Sequence, residues 1–95
     1  MKILKVFTSS IIRGGDVLTP ERIIITENDV TWKKRNKILI GEDTISIARK
    51  NITSIEVNEK MWGADIRISS FGGGTIIGRN FSKEDCEEMR RILTT

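Results

Sequence analysis

Along most of the chain, apolar positions recur every second residue, in short runs broken by turn-forming residues. That period places alternate side chains on opposite faces of a strand. "KILKVFT" (Lys2 to Thr8) reads as a first strand, with apolar side chains at Ile3, Leu4, Val6 and Phe7. "IIRGGDVLTPE" (Ile11 to Glu21) breaks into turns at Gly14, Gly15 and Asp16 and holds the only proline, Pro20. "RIIIT" (Arg22 to Thr26) is a short continuous apolar strand, and "END" (Glu27 to Asp29) is a turn. Val30 and Trp32 then alternate with Thr31 and Lys33, the pattern of a half-buried strand. "RNK" (Arg35 to Lys37) punctuates, and "ILI" (Ile38 to Ile40) resumes.

After Gly41-Glu42-Asp43, "TISIA" (Thr44 to Ala48) alternates cleanly and "RKN" (Arg49 to Asn51) turns. In "ITSIEVN" (Ile52 to Asn58), Ile55 and Val57 share a face and Ile52 is out of phase, which predicts a bend or bulge near Thr53. "EKMWGA" (Glu59 to Ala64) reads as a loop, "DIRIS" (Asp65 to Ser69) as a strand and "FGGG" (Phe71 to Gly74) as a hairpin connection, where glycine supplies positive φ at low cost. "TIIGRN" (Thr75 to Asn80) is the last strand.

The end of the chain changes period. "FSKEDCEEMRRILTT" (Phe81 to Thr95) predicts one amphipathic helix at about residues 82–93. Ser82 is the N-cap, Asp85 stands three residues on, and Phe81 can staple onto Cys86. Cys86, Met89, Ile92 and Leu93 form the apolar stripe. Acids fill the first turns and Arg90 and Arg91 the last, which suits the helix dipole, and Glu87 can pair with Arg91. About seven short antiparallel strands followed by one helix predict a mainly β fold. A curved sheet with one apolar face needs closure, and a single amphipathic helix over one open end would supply it.

Composition narrows the function. Ninety-five residues, 38% hydrophobic and 31% charged, make one globular domain over residues 1–95 and not a disordered chain. No segment reaches the roughly 20 apolar residues of a membrane span, and "MKILKVFTSS" lacks the continuous apolar run of a secretion signal. A single cysteine forbids an intrachain disulfide and fits a reducing compartment, so a cytoplasmic setting is expected. The net charge of +3 is concentrated. Asn28 to Lys37 holds four bases and one acid, while the other 85 residues hold 12 of each. A neutral body with one basic segment is not a general nucleic-acid packager.

The layout resembles the bacterial pleckstrin-homology (PH)-like domains. The likeness is carried by "ISIARKNITSIEVNEKMWGADIRISSFGGGTIIGRNFSKEDCEEMRRIL", with Ile52 and Ile55, Ile66 and Ile68, Gly72 to Gly74, and Met89 to Leu93 at the matching positions. "RIIITENDVTWKKRN" is similar to the family's early hairpin, and the likeness covers roughly residues 20–93. It implies a PH-like barrel in two near-orthogonal sheets of four and three strands, plugged by the C-terminal helix. It also implies a binding or assembly module and not an enzyme. PH-like domains that bind phosphoinositides do so with basic side chains on an early hairpin. The segment from Ser9 to Gly15 offers only Arg13, so that role is not carried over.

The residues themselves offer little catalysis. Histidine is absent, Cys86 falls on the apolar stripe, and "FGGGTIIG" lacks the Lys-Ser/Thr and the following helix of a phosphate loop. No catalytic residue, metal, cofactor or small-molecule substrate is expected. Two candidate sites remain. Lys33, Lys34, Arg35 and Lys37 are either a solvated hairpin, fanned around its tip, or a surface for an anionic partner, whether a lipid head group, nucleic acid or an acidic protein. In an alternating strand Trp32 and Lys34 share one face, and Lys33 and Arg35 the other. Met61 and Trp62 either anchor a protein partner or fold back to close the barrel mouth. Unpaired strand edges add self-association, by strand addition from a second copy.

Overall fold

The computed structural model describes residues 2–9, 20–35 and 41–95. The turns expected within residues 11–19, the residues Arg13 and Lys37, and the strand expected at Ile38 to Ile40 lie outside the described residues. The rest folds into two antiparallel sheets and one helix. The first sheet orders β1 (Ile3–Thr8), β2 (Glu21–Thr26), β3 (Asp29–Arg35) and β4 (Glu42–Ala48) side by side. The second orders β5 (Ile52–Lys60), β6 (Gly63–Ser70) and β7 (Thr75–Phe81). A single 3-10 turn, Arg49–Asn51, connects them, and α1 (Lys83–Thr94) ends the chain.

The expected fold class stands, with one refinement. No ladder joins the two sheets among the described residues, so the seven strands make a PH-like sandwich and not a closed barrel. Its interior follows from the alternation. Ile23, Ile25, Val30 and Ile47 of the first sheet and Ala64, Ile66, Ile68 and Ile76 of the second are buried together with Phe7 and Phe81. Each such side chain contributes about 1.5–3 kcal/mol through the apolar surface it removes from water. The sheets pack tightly at Gly78. A Cβ there would lie 2.8 Å from Cδ1 of Ile23 and 2.9 Å from Cε2 of Phe81, so only glycine fits without displacement.

Local chemistry fixes the corners. The buried Thr26 hydroxyl accepts from the N–H groups of Asn28 (3.2 Å) and Asp29 (2.9 Å), closing the turn between β2 and β3. The Arg49 guanidinium donates to the carbonyls of Thr26 (3.1 Å) and Ile92 (2.8 Å), tying that turn to the end of α1. The bulge predicted near Thr53 is present: the register against β6 shifts between Ile52 and Ser54. The "EKMWGA" segment differs from expectation. It is not an open loop, because β5 runs on to Lys60 and β6 starts at Gly63, leaving Met61 and Trp62 as a two-residue turn.

The helix forms as its sequence predicts. The Asp85 N–H donates to the Ser82 side chain (3.0 Å), Cys86 and Met89 are fully buried, and Ile92 and Leu93 pack against the core. Burial pushes the Cys86 thiol up to about 12, and the nearby Asp85, Asp65 and Glu87 carboxylates add to the effect. Glu87 pairs with Arg90 and not with Arg91, which sits 3.8 Å from Glu88 instead. Both are i,i+3 pairs, equally allowed on a helix surface.

Candidate functional site

The basic segment is split by the sheet that carries it. Lys33, Lys34 and Arg35 form the end of β3, next to the connection to β4. Register sets Lys34, on the inward face, between two acids, Glu21 of β2 and Asp43 of β4. Lys33 stands opposite Arg22 and Thr44, and Arg35 opposite Glu42. Arg22 bonds to the Glu42 carboxylate. On the outward face the strands therefore gather Arg22, Lys33 and Arg35 around one acid. A shallow groove of about 260 Å³ lies here, lined by Pro20, Arg22, Arg35 and Glu42. Sequence reasoning missed Arg22, which is eleven positions from Lys33. Its signal was the hairpin itself, since a short turn at Glu27 and Asn28 folds Arg22 onto Lys33.

Behind this strip sits a contact that periodicity alone hides. Glu21 is in phase with Ile23 and Ile25, and the sheet buries it. Its Oε1 accepts from the Trp32 indole N–H at 2.7 Å and from the backbone N–H of Arg79 at 3.2 Å. The Arg79 N–H is available because β7 bulges. Between Ala64 and Ile66 the register shifts, and Asn80 takes φ 65°, a left-handed conformation that asparagine tolerates better than most residues. One carboxylate thus links β2 and β3 to β7 across the sandwich. Trp32 is half-buried, and its ring forms one wall of a small cavity of about 190 Å³ with Ile45, Thr75, Ile77 and Arg79. That volume holds a side chain rather than a metabolite, given the several hundred Å³ usual for small-molecule sites.

The second candidate is the turn between β5 and β6. Met61 is 81% exposed and Trp62 73% exposed, so Trp62 does not close the barrel mouth. The two-residue turn explains this: strand pairing up to Lys60 and Gly63 leaves no slack for the indole to fold back. The base of the turn is firm. Lys60 Nζ lies 3.0 Å from Oδ1 of Asp65 and donates to Oδ1 of Asn80 at 2.7 Å, while the Asn80 N–H donates to Asp65 at 3.1 Å. Beside it the start of α1 contributes Lys83 and Glu84 to a surface hollow of about 220 Å³ with Met61, Trp62 and Gly63. None of Lys33, Lys34 and Arg35 lines this hollow.

A two-sheet sandwich capped by a C-terminal helix, with its exposed apolar and basic groups on a turn and a strand end, defines a PH-like module. The chain belongs to the bacterial PH domain family, whose model matches residues 2–95. The match starts well before residue 20, where the sequence likeness began. In the first strand the register is broken at Leu4, and only Phe7 of the apolar residues is buried. Neither the curated proteins nor the solved structures yield a match. PH domains are generally non-catalytic binding modules that mediate protein or lipid interactions. Among the described residues no helix is long and apolar enough to cross a membrane.

Proposed function

We propose that the protein is a non-enzymatic binding and assembly module that works through protein–protein contact, self-association included. The observation that supports this most is the turn Met61–Trp62, two large apolar side chains held out in solvent on a braced hairpin. Exposing a tryptophan and a methionine side by side forgoes burial worth several kcal/mol, and tryptophan is the residue most enriched at interface hot spots. The setting we propose is the cytoplasm, in keeping with the lone, buried Cys86 thiol.

A photo-crosslinking amino acid in place of Trp62, compared with one in place of the exposed Arg67 on the outer face of β6, tests the reading. Covalent protein adducts in cells are expected from position 62 and not from 67. Equal labelling at both, or none at 62, would overturn it.

A second reading is kept for the basic strip. Lys33, Lys34, Arg35 and Lys37 would bind an anionic surface, lipid head groups or nucleic acid, and Arg22 supports this by standing directly opposite Lys33. Three bases around the single acid Glu42 leave this face net positive. Binding to anionic vesicles or to DNA should then fall with salt, and fall further when Arg22, Lys33 and Arg35 are replaced together by alanine. Unchanged, salt-dependent binding by that triple variant would remove the reading.

A further inference from the structure

We infer that the small cavity beside Trp32 is a second binding site, a pocket for the C-terminal residue of a partner polypeptide. It shares no residue with the hollow at Met61 and Trp62 and does not depend on that turn. The cavity lies where β4, an outer strand of the first sheet, packs against β7, an outer strand of the second. One wall is Trp32 and Ile45, neighbours across the β3–β4 ladder and both half-buried. The other is Thr75, Ile77 and Arg79 of β7, with Ile77 39% exposed. Glu21 fixes the two walls to one atom. Its Oε1 accepts from the Trp32 indole N–H and from the Arg79 backbone N–H. A pocket held in this way needs little ordering when it is filled, and that favours binding.

The lining selects the occupant. A cavity of about 190 Å³ walled by indole and aliphatic groups takes one apolar side chain. The rim adds a charge. Arg79 bonds to Glu21 through its backbone, and its exposed guanidinium has no hydrogen-bond or ion-pair partner among the described residues. Lys34 and Asp43, next along the same faces of β3 and β4, stand opposite each other and offset in charge. Glu21 is buried, with its Oε1 taken by the two N–H groups. Arg79 is thus the exposed charge without a counterpart, and a guanidinium binds a carboxylate through two parallel bonds. In an extended peptide, neighbouring side chains point to opposite faces, so an acid that follows the apolar residue turns its carboxylate away from the pocket. The α-carboxylate of a C-terminal residue is joined to the same Cα as the apolar side chain. It therefore stays at the rim, within reach of Arg79, when a leucine-sized side chain enters.

Nuclear magnetic resonance of the Trp32 indole N–H reads the site, and Trp62→Phe makes it the only indole signal of the chain. The probe is an acetylated alanine-alanine-leucine peptide with a free C-terminus. The signal is expected to move and to saturate with a Kd of about 1 mM or tighter. Amidating the C-terminus should weaken binding about tenfold or more. Arg79→Gln keeps the backbone bond to Glu21, and in that variant the free acid and the amide should bind alike. Ile77→Ser should weaken both peptides. An amidated peptide in which aspartate follows the leucine should bind no better than the amide. The dispersed spectrum shows that each variant is folded. A signal that does not move at about 10 mM free-acid peptide, ten times the weakest expected Kd, would overturn the site. Equal binding of acid and amide to the chain with Arg79 intact would overturn carboxylate recognition, and so would a preference that survives Arg79→Gln. Binding of the leucine-aspartate amide as tightly as the free acid would overturn the assignment to a C-terminus.

Discussion

The two tryptophans of this chain are held in opposite ways. Trp32 lies in the middle of β3, with Ile23 on one side and Ile45 on the other, and its indole N–H is bound by a buried carboxylate. Trp62 sits on a two-residue turn with most of its surface in water. Trp32 is flanked in the sequence by Thr31 and Lys33, and Trp62 by Met61 and Gly63. What separates them is the neighbour across the ladder. Strand alternation gives Trp32 an interior partner on each side, whereas a turn residue has no cross-strand neighbour at all. Exposed aromatic surface marks the place where a partner can add burial, and buried aromatic surface marks the place where the fold has already used it.

Breaking the interior member should cost most. Trp32→Ala removes the ring and orphans the Glu21 carboxylate, and urea denaturation should show a loss of about 3–5 kcal/mol. A loss under about 1 kcal/mol would mean that Trp32 is no more structural than a surface residue. Glu21→Leu removes the shared acceptor from the Trp32 and Arg79 N–H groups, with an expected cost of about 1–3 kcal/mol. Glu21→Gln keeps an acceptor oxygen and should recover part of that cost, and an equal loss in both variants would contradict the hydrogen-bond account. Gly78→Ala drives a methyl group into Ile23 and Phe81, and overpacking of this kind typically costs about 1–3 kcal/mol. A thermal midpoint unchanged from wild type would show that the two sheets can separate at that point.

The smallest effects belong to the exposed member. Trp62→Ala should change stability by no more than about 0.5 kcal/mol while reducing the protein adducts captured by a crosslinking residue placed at Met61. Single-tryptophan variants sharpen the contrast: with Trp32 alone, fluorescence should be blue-shifted and shielded from acrylamide, and with Trp62 alone, red-shifted and freely quenched. Cys86 supplies a reporter for the same comparison. A thiol whose pKa is raised from 9.0 to about 12 stays protonated in the folded state. Between those values the unfolded chain binds fewer protons than the native one, so stability is intact below pH 9 and falls as pH rises towards 12. Thiol labelling at pH 8 should therefore be slow in wild type, fast in Trp32→Ala, and unaltered in Trp62→Ala.

Much of this architecture is legible in the residues. The period-two runs place Ile23, Ile25, Ile66, Ile68 and Ile76 inward, the phase slip at Ile52 locates the bulge at Thr53, and Ser82 starts the helix. Each is a local signal, and local backbone geometry obeys it. Less of the candidate surfaces could be read. The run Lys33, Lys34, Arg35 looks like one basic cluster, but alternation sends its members to different faces, and only the partner strands determine which charges meet them.

Sequence by itself thus determined the sheet content, the helix, the inward apolar set and the absence of histidine chemistry, because side-chain period and residue type are properties of the chain. Tertiary structure alone decided the rest. It closed the sheets as a sandwich around Gly78, since that contact joins residues far apart in the chain. It turned Glu21 inward as a bond acceptor for two sheets and put Arg22 beside Lys33. It also left Trp62 in solvent, because a turn of two residues is too short to return an indole to the core.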